Sequence, residues 1–158
     1  MDEKLFNFFR ETGIEFDTYQ HPAVFTVEES KNIKSNIPGL STKSLFLKDG
    51  QAQLYLICLR GSKRLNIKQI KEELGQKELH FGSPEELYEE LKVRPGSVSL
   101  FALVHSKNIK LILDKELWES AQVGFHPNIN TSTLVITHKN LETFLHALNI
   151  TPQIIDLK

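Results

Sequence analysis

Apolar residues recur along the chain with two periods, and the period distinguishes helices from strands. A single apolar stripe at helical spacing, often with a capping residue or a closing glycine, predicts helices at 2–12, about 26–35, 66–74, 83–92 and 141–148, with a short helical turn at 115–120. Alternating or β-branched runs predict strands at 14–19, 42–48, 51–59, 79–81, 98–105, 109–114 and 134–137, followed by an extended tail over 153–157.

The order of these elements predicts the fold class. Two pairs of strands, 42–59 and 98–114, are close enough in sequence to form hairpins, and helices separate the remaining strands. A regular alternation of strand and helix is absent, as are internal repeats and a linker. We therefore expect one α+β domain over 1–158, with a mixed, mostly antiparallel sheet flanked by helices.

Composition narrows the class of protein. The 158 residues are 40% hydrophobic and 25% charged, which is ordinary for a soluble globular domain. A single cysteine, Cys58, excludes an intrachain disulfide framework, and neither a signal peptide nor an apolar run of membrane-spanning length is present. We expect a cytoplasmic protein without a membrane span. The net charge of −1 argues against avid, non-specific nucleic-acid binding but permits a local basic face.

Lys43 is the first candidate for chemistry. On an alternating strand it shares a face with Leu45 and Leu47, the face expected to point to the core. A lysine in that position either extends its ammonium group to solvent or lines a cavity, and the strand pattern leaves both interpretations open.

Two loops are further candidates. The segment 124–133 combines Gly124, His126 and Pro127 with amides and hydroxyls, which can brace a tight turn or bind a polar ligand. The turn at Pro95–Gly96 lets backbone approach closely, and its N–H groups could hold a carbonyl oxygen. On composition alone, a plain connecting turn is the better interpretation of each loop.

The remaining polar groups give weaker signals. Four basic residues, Lys63, Arg64, Lys68 and Lys71, form either a solvated face or a set of phosphate contacts. Cys58 lies within an apolar strand, which favours an inert core thiol over a nucleophile. The six histidines lack the spacing of metal ligands, so we expect no metal site.

Six motifs taken together resemble a known family. In chain order they are Thr26-Val27-Glu28-Glu29, Thr42-Lys43-Ser44-Leu45-Phe46-Leu47-Lys48-Asp49, Lys63-Arg64-Leu65, Phe81-Gly82-Ser83-Pro84-Glu85, Pro95-Gly96-Ser97-Val98 and Phe125-His126-Pro127-Asn128-Ile129-Asn130-Thr131. This set resembles the YbaK-like prolyl-tRNA editing family, whose domain is also inserted in bacterial prolyl-tRNA synthetases. The resemblance runs from about Thr18 to Leu157 and is closest to the free-standing deacylase of alanine mischarged onto tRNA(Pro).

The resemblance implies a curved, barrel-like sheet and a trans-editing hydrolase that cleaves the aminoacyl ester at the acceptor end of tRNA(Pro), without a cofactor. Lys43, Gly96 and His126 are the implied catalytic residues. The implied substrate-binding residues are Thr26, Ser44, Ser97, Val98, Leu100, Pro127, Asn130 and Thr131, and the tRNA-binding residues are Lys63, Arg64, Lys68 and Lys71. Aminoacyl-tRNA is the implied partner, with prolyl-tRNA synthetase as a second one.

Two positions depart from the family pattern. Ser44 stands where the family commonly has asparagine, and Leu100 stands where it commonly has proline. Both border the implied pocket, so the identity of the amino acid removed stays open between alanine and cysteine, serine or threonine. A non-catalytic module that binds aminoacyl-tRNA or an amino acid is the main alternative, and an enzyme that uses Cys58 or a histidine is the last.

Overall fold

The computed structural model describes residues 2–23 and 36–158. The helices are α1 (Glu3–Thr12), α2 (Ile67–Leu74), α3 (Pro84–Leu91), α4 (Lys115–Glu119) and α5 (His138–Ala147), with a 3-10 helix at Leu100–His105. The strands are β1 (Asp17–Gln20), β2 (Leu40–Asp49), β3 (Leu54–Arg60), β4 (Leu79–Phe81), β5 (Ile109–Asp114), β6 (Gln122–Phe125), β7 (Ser132–Thr137) and β8 (Gln153–Ile155). The helix predicted at 26–35 lies outside the described residues.

Local capping fixes the ends of the helices where the sequence predicts them. The Asp2 carboxylate accepts the N–H of Lys4 at 3.0 Å at the start of α1, and Gly13 ends that helix at a φ of 70°. Ser83 and Glu86 form a reciprocal capping box at the start of α3, whose first residue is a proline. These predicted helix boundaries are confirmed.

The sheet is mixed, as predicted. Its strand order is β1-β7-β6-β2-β3-β5-β8, and β4 also pairs with β2. The pairs β1–β7, β2–β3, β2–β4 and β6–β7 are antiparallel, whereas β2–β6, β3–β5 and β5–β8 are parallel. The predicted hairpin at 42–59 is present as β2 and β3. The chain therefore has an α+β fold around one large sheet.

Both faces of the sheet are packed. Leu56 and Cys58 on β3 point into the larger apolar cluster with α1, α3, the 3-10 helix and α5. Their neighbours Ile57 and Leu59 point the other way, into a smaller cluster under α2 and the C-terminal tail. On β2, Phe46 belongs to the larger cluster, so the face shared by Lys43, Leu45 and Leu47 is that of the smaller cluster.

The strand predicted at 98–105 is wrong. Its apolar run, Leu100 to Val104, is a 3-10 helix that is buried on every side. Ser99 starts it by accepting the N–H of Phe101 at 3.1 Å. A continuous apolar run fits a buried helix as well as a strand, and β5 pairs in parallel with β3 instead of forming a second hairpin.

The first strand is also shorter than its pattern suggests. It begins at Asp17, because Ile14 is buried in the larger cluster below the end of α1 instead of pairing in the sheet. In the described part of the chain, no helix is both long enough and apolar enough to span a bilayer.

Candidate functional site

The long strand β2 has one continuous edge and one interrupted edge. Along the first, Thr42 to Lys48 pair with β3 without a break. Along the second, its first two residues pair with β6 and its last three pair with β4. Within the described part of the chain, residues 43–45 have no strand beside them on that edge. We call this opening the β2 gap.

Hydrogen bonds close the two ends of the β2 gap. The Thr42 hydroxyl donates to the carbonyl of Gly124 at 2.7 Å, and the N–H of Gly82 donates to the carbonyl of Phe46 at 2.9 Å. Backbone groups alternate between the edges of a strand, so those of Ser44 face the same side as the Phe46 carbonyl. The gap thus presents a backbone N–H and C=O with no strand partner among the described residues, and such groups can bind a polar ligand.

Lys43 lies in the β2 gap and is half-buried. Directly opposite it on β3 is the fully buried Leu59. Burial lowers the pKa of the Lys43 ammonium from its ordinary value, since the charged form loses hydration. In residues 2–23 and 36–158, no carboxylate forms an ion pair with Lys43. Its charge is therefore unneutralised by that part of the chain.

The side chain of Ser44 faces away from any ligand in the gap. It is buried, and its hydroxyl lies 3.1 Å from the thiol of Cys58 within the larger cluster. Burial raises the pKa of the fully buried Cys58 to about 12, so the thiol is protonated at neutral pH. The structure confirms Cys58 as a core thiol and removes the support for a nucleophilic role. Contact between Ser44 and a ligand would come from its backbone.

The loop at 124–133 is hydrogen-bonded to β2 and to His21, a residue that is not among the predicted site residues. A Cβ on Gly124 would lie 3.0 Å from the Thr133 methyl group, a tight contact that Thr133 would have to relieve by a small shift. The ring of His21 donates through Nδ1 to the carbonyl of Pro22 at 2.8 Å, and its Nε2 accepts the Thr133 hydroxyl at 2.9 Å. The only sequence signal for His21 is its position before a proline.

His126 lies on the same loop, half-buried, and its Nδ1 donates to the carbonyl of Ser132 at 3.1 Å. Its ring centroid is 6.2 Å from that of His21. Of the other predicted loop residues, Pro127 is buried, Asn130 is half-buried and Thr131 is exposed. Because Gly124 also accepts the Thr42 hydroxyl, the structure brings this loop to the end of the β2 gap beside Lys43.

Asp2 fixes the far side of the same loop. Its carboxylate accepts from His105 Nε2 at 2.5 Å and from Asn128 Nδ2 at 2.9 Å. Burial alone would raise the pKa of Asp2, but these hydrogen bonds outweigh burial and hold the pKa below its usual value. Asn128 has a φ of 65°, a conformation that asparagine tolerates better than most residues. The loop is therefore anchored at both ends.

The Gly96 turn connects α3 to the 3-10 helix. Gly96 has a φ of 89°, and the N–H of Ser97 donates to the carbonyl of Arg94 at 3.1 Å. Val98 is half-buried and Leu100 is fully buried in the larger cluster. No hydrogen bond, ion pair or ring contact in the described part of the chain joins this turn to Lys43.

Among the predicted tRNA-binding residues, Lys63 differs from the others. Its ammonium group lies 2.6 Å from the fully buried Asp114 carboxylate and 3.0 Å from the Leu157 carbonyl, so it anchors the C-terminal tail. Because the charge of Lys63 is already paired inside the protein, Lys63 is poorly suited to bind a phosphate. Arg64 and Lys68 are exposed and Lys71 is half-buried. No pattern in the sequence indicates that Asp114 is the partner of Lys63.

A cavity of about 510 Å³ lies elsewhere, between β1, β6, β7 and the start of α5, and contains none of the predicted site residues. Thr26 lies outside the described residues. Within the described ranges, no three histidine, cysteine or acidic side chains come together as a metal-binding group.

Comparisons with known proteins give a consistent result. Residues 21–144 match the family model of the aminoacyl-tRNA editing domain. The prolyl-tRNA synthetase associated domain-containing protein 1 of Danio rerio is 34% identical over 157 residues, covering 97% of this chain and 85% of the relative. The prolyl-tRNA editing protein ProX of Acetoanaerobium sticklandii is 29% identical over 150 residues, covering 93% and 92%.

The fold also has solved counterparts. A crystal structure described as that of a candidate trans-editing enzyme for prolyl-tRNA synthetase superimposes with a TM-score of 0.78 at 21% sequence identity. The match covers 100% of this chain and 98% of the other. At this identity the likeness establishes a shared fold.

Proposed function

The chain belongs to the aminoacyl-tRNA editing domain family, and from that premise we propose that it is a trans-editing deacylase of mischarged tRNA(Pro). Its favoured substrate is alanyl-tRNA(Pro), and prolyl-tRNA synthetase is a proposed partner. The observation that carries the proposal is the half-buried Lys43, which lies in an unfilled gap of the sheet and is not paired with a described carboxylate. A buried cation of this kind suits an anionic ligand such as a terminal nucleotide.

The proposed reaction is hydrolysis of the ester between the amino acid and the terminal ribose. Backbone N–H groups near Gly96 hold the ester carbonyl oxygen and stabilise the negative charge that develops on it. A water oxygen bonds to the carbonyl carbon, assisted by the neighbouring ribose hydroxyl. The bond from that carbon to the ribose oxygen breaks, and the ribose oxygen takes up a proton. Lys43 supplies charge complementarity and forms no covalent bond.

In this proposal the walls of the site set the selectivity. The loop carrying His126, with Pro127, Asn130 and Thr131, encloses one side of the aminoacyl group, and Ser97 and Val98 border the other. A small cavity admits alanine and excludes proline, although an apolar pocket distinguishes one methylene group by only about 1–3 kcal/mol. Arg64, Lys68 and Lys71 then contribute phosphate contacts that hold the RNA.

The test is hydrolysis of alanyl-, cysteinyl-, seryl-, threonyl- and prolyl-tRNA(Pro) by the wild-type protein and by Lys43→Ala. We expect loss of alanine with proline spared, and a fall of about 100-fold or more in Lys43→Ala. Lys48→Ala is the matched control, because Lys48 lies on the same strand but pairs with Glu86. It should retain wild-type turnover.

The other outcomes distinguish the alternatives. Hydrolysis of the cysteinyl, seryl or threonyl ester instead would keep the reaction and change the pocket assignment. Binding of charged tRNA without hydrolysis of any ester would indicate a non-catalytic module. Equal turnover by wild type and Lys43→Ala would contradict the role given to Lys43.

A further inference from the structure

The exposed ring of Phe81 has no part in the reaction above, yet it lies on the same face of the sheet as Lys43. Phe81 pairs with Leu47 across β4 and β2, so their side chains share a face. Leu47 and Lys43 share it too, because they are four residues apart on one strand. With 61% of its surface exposed, Phe81 is the most exposed large apolar side chain in the described part of the chain.

The backbone holds Phe81 firmly in this exposed position. The next residue, Gly82, donates its N–H to the Phe46 carbonyl and lies against the Phe46 ring. The residue after that, Ser83, caps α3. An exposed aromatic ring at the end of a fixed strand loses less conformational entropy on binding than a ring on a mobile loop does.

The helix that covers this face carries exposed residues of both charges, with Lys68 near its start and Glu72 and Glu73 near its end. Helix α2 covers the same face through Ile70, which packs with Leu47 and Leu79 in the smaller cluster. Arg64 just before this helix and Lys68 on it are exposed. Lys43 contributes the half-buried cation on the sheet itself. The sheet face therefore combines the exposed ring of Phe81 with the cation of Lys43, and an aromatic ring together with a cation is a combination that binds single-stranded nucleic acid.

We propose that Phe81 is a stacking platform for an unpaired base of the single-stranded RNA end whose ester is placed near Lys43. This inference rests on the proposed function. Lys43 and Leu47 are about 13 Å apart along β2, so a base on Phe81 and the reacting end belong to one short single-stranded segment. Stacking on Phe81 positions the end without touching the reacting atoms.

The experiment compares three variants. Phe81→Leu keeps an apolar side chain but removes the aromatic face, and Phe81→Trp restores a face. Tyr88→Leu is the control, because Tyr88 is also exposed but lies on α3, whose Leu87 and Leu91 pack into the opposite, larger cluster. Deacylation gives KM and kcat. Fluorescence anisotropy gives the Kd for an uncharged acceptor-stem RNA with and without its single-stranded 3′ end.

We expect Phe81→Leu to raise KM by about tenfold or more with kcat unchanged, because the stacking contact is equal in the bound substrate and in the transition state. The preference of the wild type for RNA with the single-stranded end should disappear in Phe81→Leu and return in Phe81→Trp. Tyr88→Leu should keep the preference of the wild type for RNA with the single-stranded end.

The Kd measurement with uncharged RNA tests this inference separately from the proposed function. If the wild type hydrolyses no ester but still prefers the single-stranded end through Phe81, the proposed function fails and the stacking site stands. If the wild type shows no such preference, or if Phe81→Leu behaves like Tyr88→Leu, the stacking site is wrong whether or not the protein is a deacylase.

Discussion

Two half-buried lysines, Lys43 and Lys63, differ in the groups that surround their charges. Lys63 reaches the fully buried Asp114 at 2.6 Å, and Asp114 also accepts the N–H of Leu157 at 3.2 Å. We call Lys63, Asp114 and Leu157 the tail clamp. Lys43 in the β2 gap has no described carboxylate beside it, and burial lowers its pKa. Lys63 completes the fold, and we propose that Lys43 pairs with a bound ligand.

The difference follows from what a partly buried charge requires. Removing a charge from water is costly unless hydrogen bonds and an opposite charge compensate for the lost hydration. In the tail clamp, the chain itself supplies that compensation. In the β2 gap, the described residues supply no such compensation. A bound anion would therefore pair with a cation that has already lost part of its hydration. A half-buried cation without a described counter-charge is therefore a better indication of a binding site than an exposed cation is.

The largest expected effect is on the tail clamp. Asp114→Ala leaves the Lys63 ammonium without its carboxylate and the Leu157 N–H without its acceptor, and should lower the free energy of unfolding by about 3 kcal/mol. Urea denaturation followed by circular dichroism measures it. Asp156→Ala is the matched control, since the Asp156 carboxylate is exposed and pairs with the exposed Lys158, so its loss should shift the midpoint far less. Equal midpoints for the two variants would show that the tail clamp does not stabilise the fold.

The next effect concerns the wall of the β2 gap. A Cβ on Gly82 would lie 2.3 Å from two ring atoms of the buried Phe46, so Gly82→Ala forces the ring or β4 to move. Overpacking of this kind costs about 1–3 kcal/mol, measurable by thermal or urea denaturation. Gly61→Ala is the control, because its new Cβ would meet nothing closer than 3.6 Å. Similar losses in both variants would contradict a rigid wall.

The smallest effect is a pH dependence that separates the two lysines. Because the pKa of Lys43 is lower in the folded state than in the unfolded chain, its protonated form opposes folding at neutral pH. Stability gained from Lys43→Met should therefore be present at pH 7 and shrink as the pH rises toward 10.5, where the wild type loses the penalty too. Denaturant titrations at pH 7 and pH 10 give the difference.

Lys63→Met serves as the opposing control for that titration, since it removes a paired cation and should destabilise the protein at pH 7. If Lys43→Met destabilised the protein to the same degree, Lys43 would be a structural residue like Lys63. The contrast between the β2 gap and the tail clamp would then be lost.

The parts of the fold that could be predicted are those decided by neighbouring residues. The capping box at Ser83 and the glycine after α1 fixed helix ends because their bonds span only three or four residues. The 3-10 helix at 100–105 could not be predicted, since its apolar run has no period and its burial depends on α1 and α3 packing around it.

The candidate site was predicted as a set of residues but not as an arrangement. Lys43 and His126 stand out by residue type, whereas the β2 gap exists only because β6 and β4 pair with opposite ends of β2 and leave its middle open. Likewise, Lys63 resembles a surface cation until Asp114, 51 residues later, is placed beside it. Such long-range pairings are set by the sheet as a whole.

The strand order has a consequence for how the protein is made. β1 forms near the start of the chain but pairs with β7, with Asp17 opposite Val135. During synthesis β1 therefore lacks its partner strand until β7 has been translated. Sheets built from pairings so distant in sequence fold slowly, because the entropy of closing long loops is lost before the contacts form. The nascent chain consequently depends on β7, which is translated much later, to complete the part of the sheet that contains β1.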